Sequence, residues 1–404
     1  MIKVVLKKGK DQSLKRFHPW VFSGAIDKIE KEPVEGEVVE VYSKEGEFLG
    51  CGHYQIGSIT VRILSFAPCK IDADFWFKAI KGAYNARKAL GLIDNCATNT
   101  YRLVHGEGDF LPGLIIDIYD TTAVLQAHSA GMFLAKGEIA AALVKVYGNK
   151  LTAVYDKSSA TAPFKAGLEL ADGYIWRAAA ESVSENSMVA TDNTAKGGEI
   201  ANGTGGAEGD VFGKVIGIQN GSCTVLENGN QFIVNWIEGQ KTGFFLDQRD
   251  NRELVKHYSK GKNVLNLFCY TGGFSIYSLS GGATHVDSVD SSKKAMEMVD
   301  RNVELNGYTA QHTSFCEDAI EFMRNCPANQ YDLMIVDPPA FAKHRGATDN
   351  ALRAYKRLNA LAIEKVTKGG IIFTYSCSQV VDKYDFALAV FSAAAQTGRK
   401  VRIL

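Results

Sequence analysis

Asp337-Pro338-Pro339-Ala340-Phe341 closes an apolar strand, Leu333 to Val336, with a stiff turn that holds a carboxylate at the strand's carboxyl end. Farther along, Tyr375-Ser376-Cys377-Ser378 closes a second apolar strand, Ile371 to Tyr375, and sets a thiol at a comparable place. Strands of an open α/β sheet that end this way turn their last residues into one crevice. A thiolate is a nucleophile and a neighbouring carboxylate can hold a ring by hydrogen bonds, so the pair suits covalent chemistry on an electron-poor heterocycle. A lone cysteine is otherwise most often a small buried residue; its place opposite an Asp-Pro-Pro turn favours the nucleophile. Asp337 and Cys377 are the candidate catalytic residues.

A second set of residues could hold a ligand. Leu265-Asn266-Leu267-Phe268-Cys269-Tyr270-Thr271-Gly272-Gly273-Phe274 reads as a strand running into a Gly-Gly turn that opens a helix, where a ligand can approach the backbone closely. The pattern is not G-x-G-x-x-G, so a dinucleotide pyrophosphate is not indicated. Asp290 ends the next strand, where an acid can accept both hydroxyls of a ribose. Asp318 follows the third strand, within reach of an adenine's exocyclic amine. Each acid could instead cap the helix it precedes. Together with the turn they form the arrangement that S-adenosylmethionine enzymes use. Lys241 to Arg252 (KTGFFLDQRDNR) precedes the first strand and could fold over such a cofactor.

These residues need a doubly wound sheet, and the sequence supplies one. From about residue 240, strand and helix patterns alternate. The strands read Val264–Phe268, Thr284–Asp290, Gln311–Phe315, Asp332–Val336, Gly370–Tyr375 and Lys400–Ile403, with the clearest helices at Ser292–Asn306 and Ala351–Lys365. Just upstream, Cys223–Leu226 and Gln231–Trp236 flank Glu227-Asn228-Gly229-Asn230 and make a hairpin.

The N-terminal part differs in kind. Val38–Tyr42, Glu47–Gly50 and Ile59–Leu64 are short alternating strands with glycine turns, the pattern of a small β-barrel. Lys15-Arg16-Phe17-His18-Pro19-Trp20-Val21-Phe22 mixes cations with aromatics, which suits phosphate contact and base stacking, although Trp20 and Phe22 could equally be barrel core. Next comes an α+β module. Its helix Ala73–Leu90 has Phe75, Phe77, Ile80, Tyr84 and Leu90 as candidate core, and strands follow at Tyr101–Val104, Gly113–Tyr119 and Ala123–Ala127. A helix at Ala135–Tyr147 and a strand at Thr152–Tyr155 complete it. Asp109 and Asp117 read there as turn and strand-end residues. Glu181 to Asp210 has almost no large apolar residue and is expected to be a flexible loop. The domains expected are 1–70 (barrel), 71–180 (α+β), 181–215 (insertion) and 216–404 (hairpin and doubly wound sheet).

Composition bounds the function. At 404 residues, 46% hydrophobic and 22% charged, the chain is globular and longer than one ordinary domain. Lys+Arg and Asp+Glu both number 45, so nucleic-acid binding must come from concentrated patches. Besides Lys15, Arg16 and Trp20, the helix bearing Arg353, Lys356 and Arg357 beside the Asp-Pro-Pro turn offers one. The eight cysteines form no C-x-x-C pair, so no metal site is expected and a reducing compartment fits. No apolar run reaches the roughly 18 residues of a spanning helix and no signal-peptide core follows Met1, so a cytoplasmic enzyme without membrane contact is expected.

With these residues in hand, the chain resembles the bacterial large-subunit (23S) ribosomal RNA 5-methylcytosine methyltransferases that begin with a PUA domain. The matches are His18 to Phe22, Arg102-Leu103-Val104, Asp109 to Asp117 (DFLPGLIID), Lys241 to Arg252, Leu265 to Phe274, Asp290, Asp337 to Phe341 and Ser376-Cys377-Ser378. The resemblance implies a PUA barrel, a central α+β domain and a class I Rossmann-like methyltransferase domain. It implies S-adenosylmethionine as cofactor, held at Gln248, Asn266, Phe268, Tyr270, Thr271, Gly272, Gly273, Asp290, Asp318 and Asp337. Ribosomal RNA is the implied partner, with a homodimer an admissible assembly. Cys377 would attack C6 of cytosine while Asp337 holds the ring. The alternatives are uracil-C5 or base-N methylation on the same fold, or a non-catalytic RNA-binding assembly factor. Because the chain stops at Leu404, inside the expected sixth strand, the last antiparallel strand of the family is expected to be missing.

Overall fold

The computed structural model of the chain describes residues 1–163, 167–178 and 221–404; the expected flexible insertion, 181–215, lies outside the described residues. Two compact units emerge, one of Met1–Asn95, Asn99–Cys223 and Val234–Phe244, the other of Cys96–Thr98, Thr224–Ile233 and Phe245–Leu404.

The first unit contains two sheets. Strands β1 (Ile2–Leu6), β2 (Trp20–Phe22), β3 (Ile26–Ile29), β4 (Val38–Tyr42), β5 (Phe48–Tyr54) and β6 (Ile59–Ser65), with the short helix α1 (Gln12–Lys15), form a six-stranded sheet ordered β2-β6-β5-β4-β1-β3. Alternate residues enter its core, among them Val4, Leu6, Val39, Val41, Val61 and Ile63. In β2 the inward residue is Val21, and alternation puts Trp20 and Phe22 on the other face, with Phe22 46% exposed. The core alternative for these two aromatics is therefore not taken.

Helix α2 (Ala73–Ala89) leads to the second sheet. Asp72 starts it, its carboxylate accepting from the amides of Asp74 and Phe75 at 3.1 Å each. The buried side chains are Trp76, Ile80, Ala83 and Tyr84, whereas Phe75 and Phe77 are half-buried and Leu90, past the helix end, is 72% exposed. Ile80 and Tyr84 of the expected stripe are thus core and Phe75 packs against it, while the buried Trp76 was not expected and Leu90 lies outside; three consecutive aromatics (Phe75, Trp76, Phe77) leave the helical phase ambiguous at that end. Strands β7 (Thr100–His105), β8 (Leu114–Tyr119), β9 (Thr122–Ala127), β10 (Ala153–Asp156) and β11 (Gly173–Arg177), with helices α3 (Ala130–Leu134) and α4 (Lys136–Tyr147), complete this part, in the order β11-β10-β9-β8-β7. Asp117 is no strand-end residue: it lies inside β8, fully buried, and takes both Arg102 Nε (2.8 Å) and Nη2 (3.0 Å).

In the second unit, the tip of a hairpin, β12 (Ser222–Glu227) and β13 (Asn230–Asn235), turns through Asn228 (φ 51°) and Gly229 (φ 81°). Positive φ at both positions is what a two-residue hairpin turn with the right twist requires. The order continues α5 (Arg249–Tyr258), β14 (Asn263–Leu267), α6 (Gly273–Ser280), β15 (His285–Val289), α7 (Lys293–Leu305), β16 (His312–Phe315), α8 (Ala319–Asn325), β17 (Leu333–Val336), α9 (Thr348–Lys365), β18 (Ile371–Thr374) and α10 (Lys383–Thr397). The strands run parallel in the order β16-β15-β14-β17-β18. Order reverses at β14/β17, so the crevice for a ligand opens at the carboxyl ends of those two strands.

The expected strand Lys400–Ile403 is not formed. Residues 400–404 pair with no neighbour, and Val401, Ile403 and Leu404 are 47%, 74% and 91% exposed. A strand is defined by its ladder, and these residues join none. No described helix is long and apolar enough to cross a membrane.

Candidate active site

The turn after β14 is built under strain. Phe268 (φ 58°), Tyr270 (φ 48°) and Gly272 (φ 80°) all occupy the left-handed region, which only the glycine adopts at no steric cost. Its neighbours hold the turn in place. Cys269 N–H donates to Val289 O (3.1 Å), Gly272 N–H to Cys269 O (2.9 Å), and Asn302 Nδ2 to Thr271 O (2.9 Å). A Cβ on Gly272 would press on Val299 at 3.3 Å. Strain that the surroundings fix in this way gathers at ligand sites. Gly273 then begins α6.

Asn266, fully buried on β14, donates to Ser275 Oγ (2.8 Å), which meets Ser288 Oγ (2.6 Å), which in turn meets His312 Nε2 (2.7 Å). Burial lowers the His312 pKa to about 4, so this chain ends in a neutral imidazole. The Oδ1 of Asn266 has no partner among the described residues. An acceptor buried without a donor is costly, and a ligand's donor would satisfy it.

Of the two acids, one caps a helix and the other does not. Asp290 does not cap a helix; Ser292 caps α7 through Ala295 N–H. Asp290 instead accepts from Tyr270 N–H (3.0 Å) and Ser292 N–H (2.9 Å), tying the strained turn to the end of β15. Each oxygen keeps a lone pair for a further donor. Asp318 is the cap of α8, one oxygen accepting from Ile320 and Glu321 N–H at 2.9 Å each.

Asp337, half-buried at the end of β17, accepts from Gln248 Nε2 at 3.3 Å. A buried ion cluster positions Gln248's segment. Glu227, fully buried, takes Arg252 Nε (2.9 Å) and Nη2 (2.9 Å), Arg249 Nε (3.3 Å) and the Tyr277 hydroxyl (3.0 Å), while Arg252 Nη1 donates to Phe245 O (2.9 Å). Glu227 is thus more than the turn residue the sequence suggested. Phe245 lies edge-on to Tyr270 with ring centroids 5.3 Å apart.

Register pairs Val336 with Thr374, which brings the residues after both strands to one level. Cys377 is exposed, its Sγ 3.5 Å from Pro338 O. The turn that carries it is anchored by Ser378, whose Oγ accepts from Ala342 N–H (3.2 Å) and bonds the Tyr355 hydroxyl (2.9 Å). So the thiol is exposed on a fixed turn packed on the Asp337–Phe341 loop. Tyr375 stacks on Phe274 (5.4 Å) and its hydroxyl, buried, has no partner among the described residues. Burial, then the charge of Asp337, pushes this phenol up, so it remains a neutral donor. Sequence reasoning named Tyr375 only as a strand end and missed the anchoring roles of Ser378, Glu227 and Arg252. The one signal available was the clustering of polar residues inside otherwise apolar strings.

Of the residues nominated for RNA, Lys15 sits between Asp11 and Glu47 at 2.8 Å each, and Trp20 Nε1 donates to Glu107 (2.9 Å). Arg353 meets Asn350 (2.5 Å). Arg16 and Arg357 are exposed and Lys356 half-exposed, with no side-chain partner among the described residues.

A parallel sheet in this order, a strained glycine turn after its first strand and an orphaned acceptor beside it fit a nucleoside-bearing methyl donor. Fold and site define a class I S-adenosylmethionine-dependent methyltransferase. The profile of that family matches residues 215–392, and the profile of the PUA-like domain matches residues 4–66. The chain belongs to the ribosomal RNA large subunit methyltransferase I family. It is 34% identical to the Aeromonas hydrophila member over 99% of its own length and 92% of the relative's. It is 36% identical to the Photobacterium profundum member over 99% and 92%. A solved methyltransferase complexed with SAH shares the fold at TM-score 0.74 and 22% identity, covering 97% of this chain and 90% of that one. A structure assigned as a SAM-dependent methyltransferase from Streptococcus mutans gives 0.72 and 23%, covering 98% and 91%.

Proposed function

We propose that this enzyme forms 5-methylcytosine in 23S ribosomal RNA through a covalent adduct with Cys377. S-adenosylmethionine supplies an electrophilic methyl group on a sulfonium. The residues proposed to hold it are Asn266, with its free buried acceptor, Phe268, the Tyr270 to Gly273 turn, Asp290, Asp318, Gln248 and Asp337. Cytosine C5 is a poor nucleophile until a group adds at C6. The Cys377 thiolate forms a bond to C6 and the ring electrons move toward C5. Asp337, held by Gln248, hydrogen-bonds the ring at N3 or N4 and stabilises the enamine. C5 takes the methyl group as the sulfonium S–CH3 bond breaks and a neutral thioether leaves; loss of the C5 proton to a base then restores the double bond and expels the Cys377 thiolate from C6. RNA engagement is assigned to Lys15, Arg16 and Trp20 and to Arg353, Lys356 and Arg357; of the cations, Arg16, Lys356 and Arg357 are unengaged. A cytoplasmic location goes with this substrate.

The observation that carries this reading is the exposed thiol of Cys377 on the Ser378-anchored turn against Pro338. N-methylation of a purine needs no such group. Uracil C5 methylation uses the same thiol chemistry, and mass mapping of the product nucleoside separates the two. Cys377→Ala is expected to abolish methyl transfer with S-adenosylmethionine affinity unchanged, and 5-fluorocytosine RNA to trap the wild type as a denaturant-stable adduct. Formation of 5-methylcytosine by the Ala variant would sink the covalent route.

A further inference from the structure

Two phenylalanines outside the methyl-transfer site are held in conformations that do not help the chain fold. Phe17 ends helix α1: its N–H donates to Leu14 O (2.8 Å), the N–H of His18 donates to Ser13 O (3.0 Å), and its φ is 63°. Glycine usually takes that closing position. Phe110 repeats the arrangement after the turn Gly106–Asp109. Its N–H donates to Glu107 O (3.2 Å), Leu111 N–H donates to Gly106 O (3.0 Å), and its φ is 59°. A bulky side chain at positive φ is an outlier. Both rings then stand 66% and 69% exposed.

The two strained rings line one open cleft of about 430 Å³, with Pro19, Leu64 and Phe66 among its other walls. Phe17 meets Phe66 edge-on, centroids 5.3 Å apart at 85°, a contact that takes up one face of one ring and leaves the others uncovered by it. No carboxylate is among the residues lining the cleft. Arg16 adjoins Phe17 and Lys70 follows the Phe66-Ala67 wall; both are exposed with no side-chain partner among the described residues. The acids next to Phe110 in the chain are occupied, Asp109 by Arg87 and the His105 amide, and Glu107 by the Trp20 indole; Asp72, near Lys70, caps α2. Aromatic faces with free cations beside them, and no acid in the wall, suit a stacked base on a phosphate backbone better than an apolar peptide.

We infer that this cleft holds an unpaired RNA base of the substrate, stacked on Phe17 and Phe110, distinct from the base that is methylated. The inference rests on the reading of RNA as substrate. The test uses the full chain and an rRNA fragment carrying 2-aminopurine in place of single unpaired purines. Phe17→Gly and Phe110→Gly remove ring and backbone strain together, so the variants are expected to unfold at the wild-type temperature or above it. RNA binding should weaken about tenfold per ring removed. Quenching of one 2-aminopurine by the wild type should be lost, and Phe17→Tyr should retain both affinity and quenching. If the folded double variant binds and quenches as the wild type does, the cleft is not a base site and an apolar peptide becomes its better occupant. If the wild type itself neither binds nor methylates the RNA, the substrate reading fails and this inference falls with it.

Discussion

Two buried polar clusters of this protein are completed in opposite ways. In the first unit, Asp117 sits in the middle of β8 with every oxygen engaged: Arg102 takes both, and Thr242 donates its hydroxyl to Oδ2 at 2.6 Å. Tyr119 extends the cluster, bonding Thr242 Oγ1 (2.8 Å) and accepting from Phe244 N–H (3.1 Å). At the carboxyl edge of the parallel sheet in the second unit, polar groups as deeply placed are left open: Asn266 Oδ1 and the Tyr375 hydroxyl have no partner among the described residues. Burial alone therefore does not mark function. A closed cluster has no polar group left to offer a ligand, while an open one among strained backbone and acids does. The string KTGFFLDQRDNR shows both uses, since Thr242 belongs to the closed cluster of the first unit and Gln248 to the site in the second.

If the Asp117 cluster is structural, breaking it should cost the most stability and none of the binding. Asp117→Ala leaves the Arg102 guanidinium without its acid and removes one of the two partners of the Thr242 hydroxyl. The expected loss is about 3–5 kcal/mol. Denaturant unfolding measures it. Calorimetry should find S-adenosylmethionine affinity unchanged in the protein that remains folded. A loss below about 1 kcal/mol would mean the cluster is looser than its distances suggest.

How far each cluster could be read in advance follows from the range of its interactions. Of the five parallel strands of the second unit, Leu333–Val336 and Ile371–Thr374 were legible as apolar runs, whereas His285–Val289 and His312–Phe315 carry polar residues and were legible only from the alternation of strand and helix patterns. The hairpin was legible from Asn228-Gly229, a local demand on φ. Strand β3, Ile26-Asp27-Lys28-Ile29, went unnamed because an edge strand with charges mid-run carries no alternation to read. Among the candidate site residues, Asp337, Cys377 and the glycine turn were visible because they follow strand ends, a topological position. The Glu227–Arg252 pair was not visible: nothing local says that an acid beside a hairpin turn will be sealed under a later helix. Nor could sequence tell that Asp290 would pin the Tyr270 amide while Asp318 capped a helix, because both roles use the same residue after the same kind of strand.

The open cluster should respond in the reverse sense, through ligand rather than fold. Asp290 is its best handle, since it joins the strained turn to β15. Asp290→Ala is expected to weaken S-adenosylmethionine binding by about 1–3 kcal/mol, the cost of leaving donors unpaired in a partly buried site. Unfolding should change by less than in Asp117→Ala, because the Tyr270 and Ser292 amides that lose their acceptor lie where water can reach. An unchanged dissociation constant by calorimetry would reduce Asp290 to a brace for the turn.

Tyr375 gives the smallest and most discriminating effect. Its hydroxyl is buried without a partner while its ring is stacked on Phe274, and Phe in its place keeps the stack and deletes only the unsatisfied group. Burying a polar group unpaired is unfavourable, so Tyr375→Phe should stabilise the ligand-free enzyme by about 1 kcal/mol. If the hydroxyl is kept for a donor role in the loaded site, the same variant should transfer methyl groups more slowly, by up to about tenfold. The opposed signs are the point: a group that serves packing cannot improve stability when deleted, and a group that serves neither cannot slow the reaction. A Phe variant that is less stable than the wild type, or equally fast, would return Tyr375 to the core and narrow the open cluster to Asn266 alone.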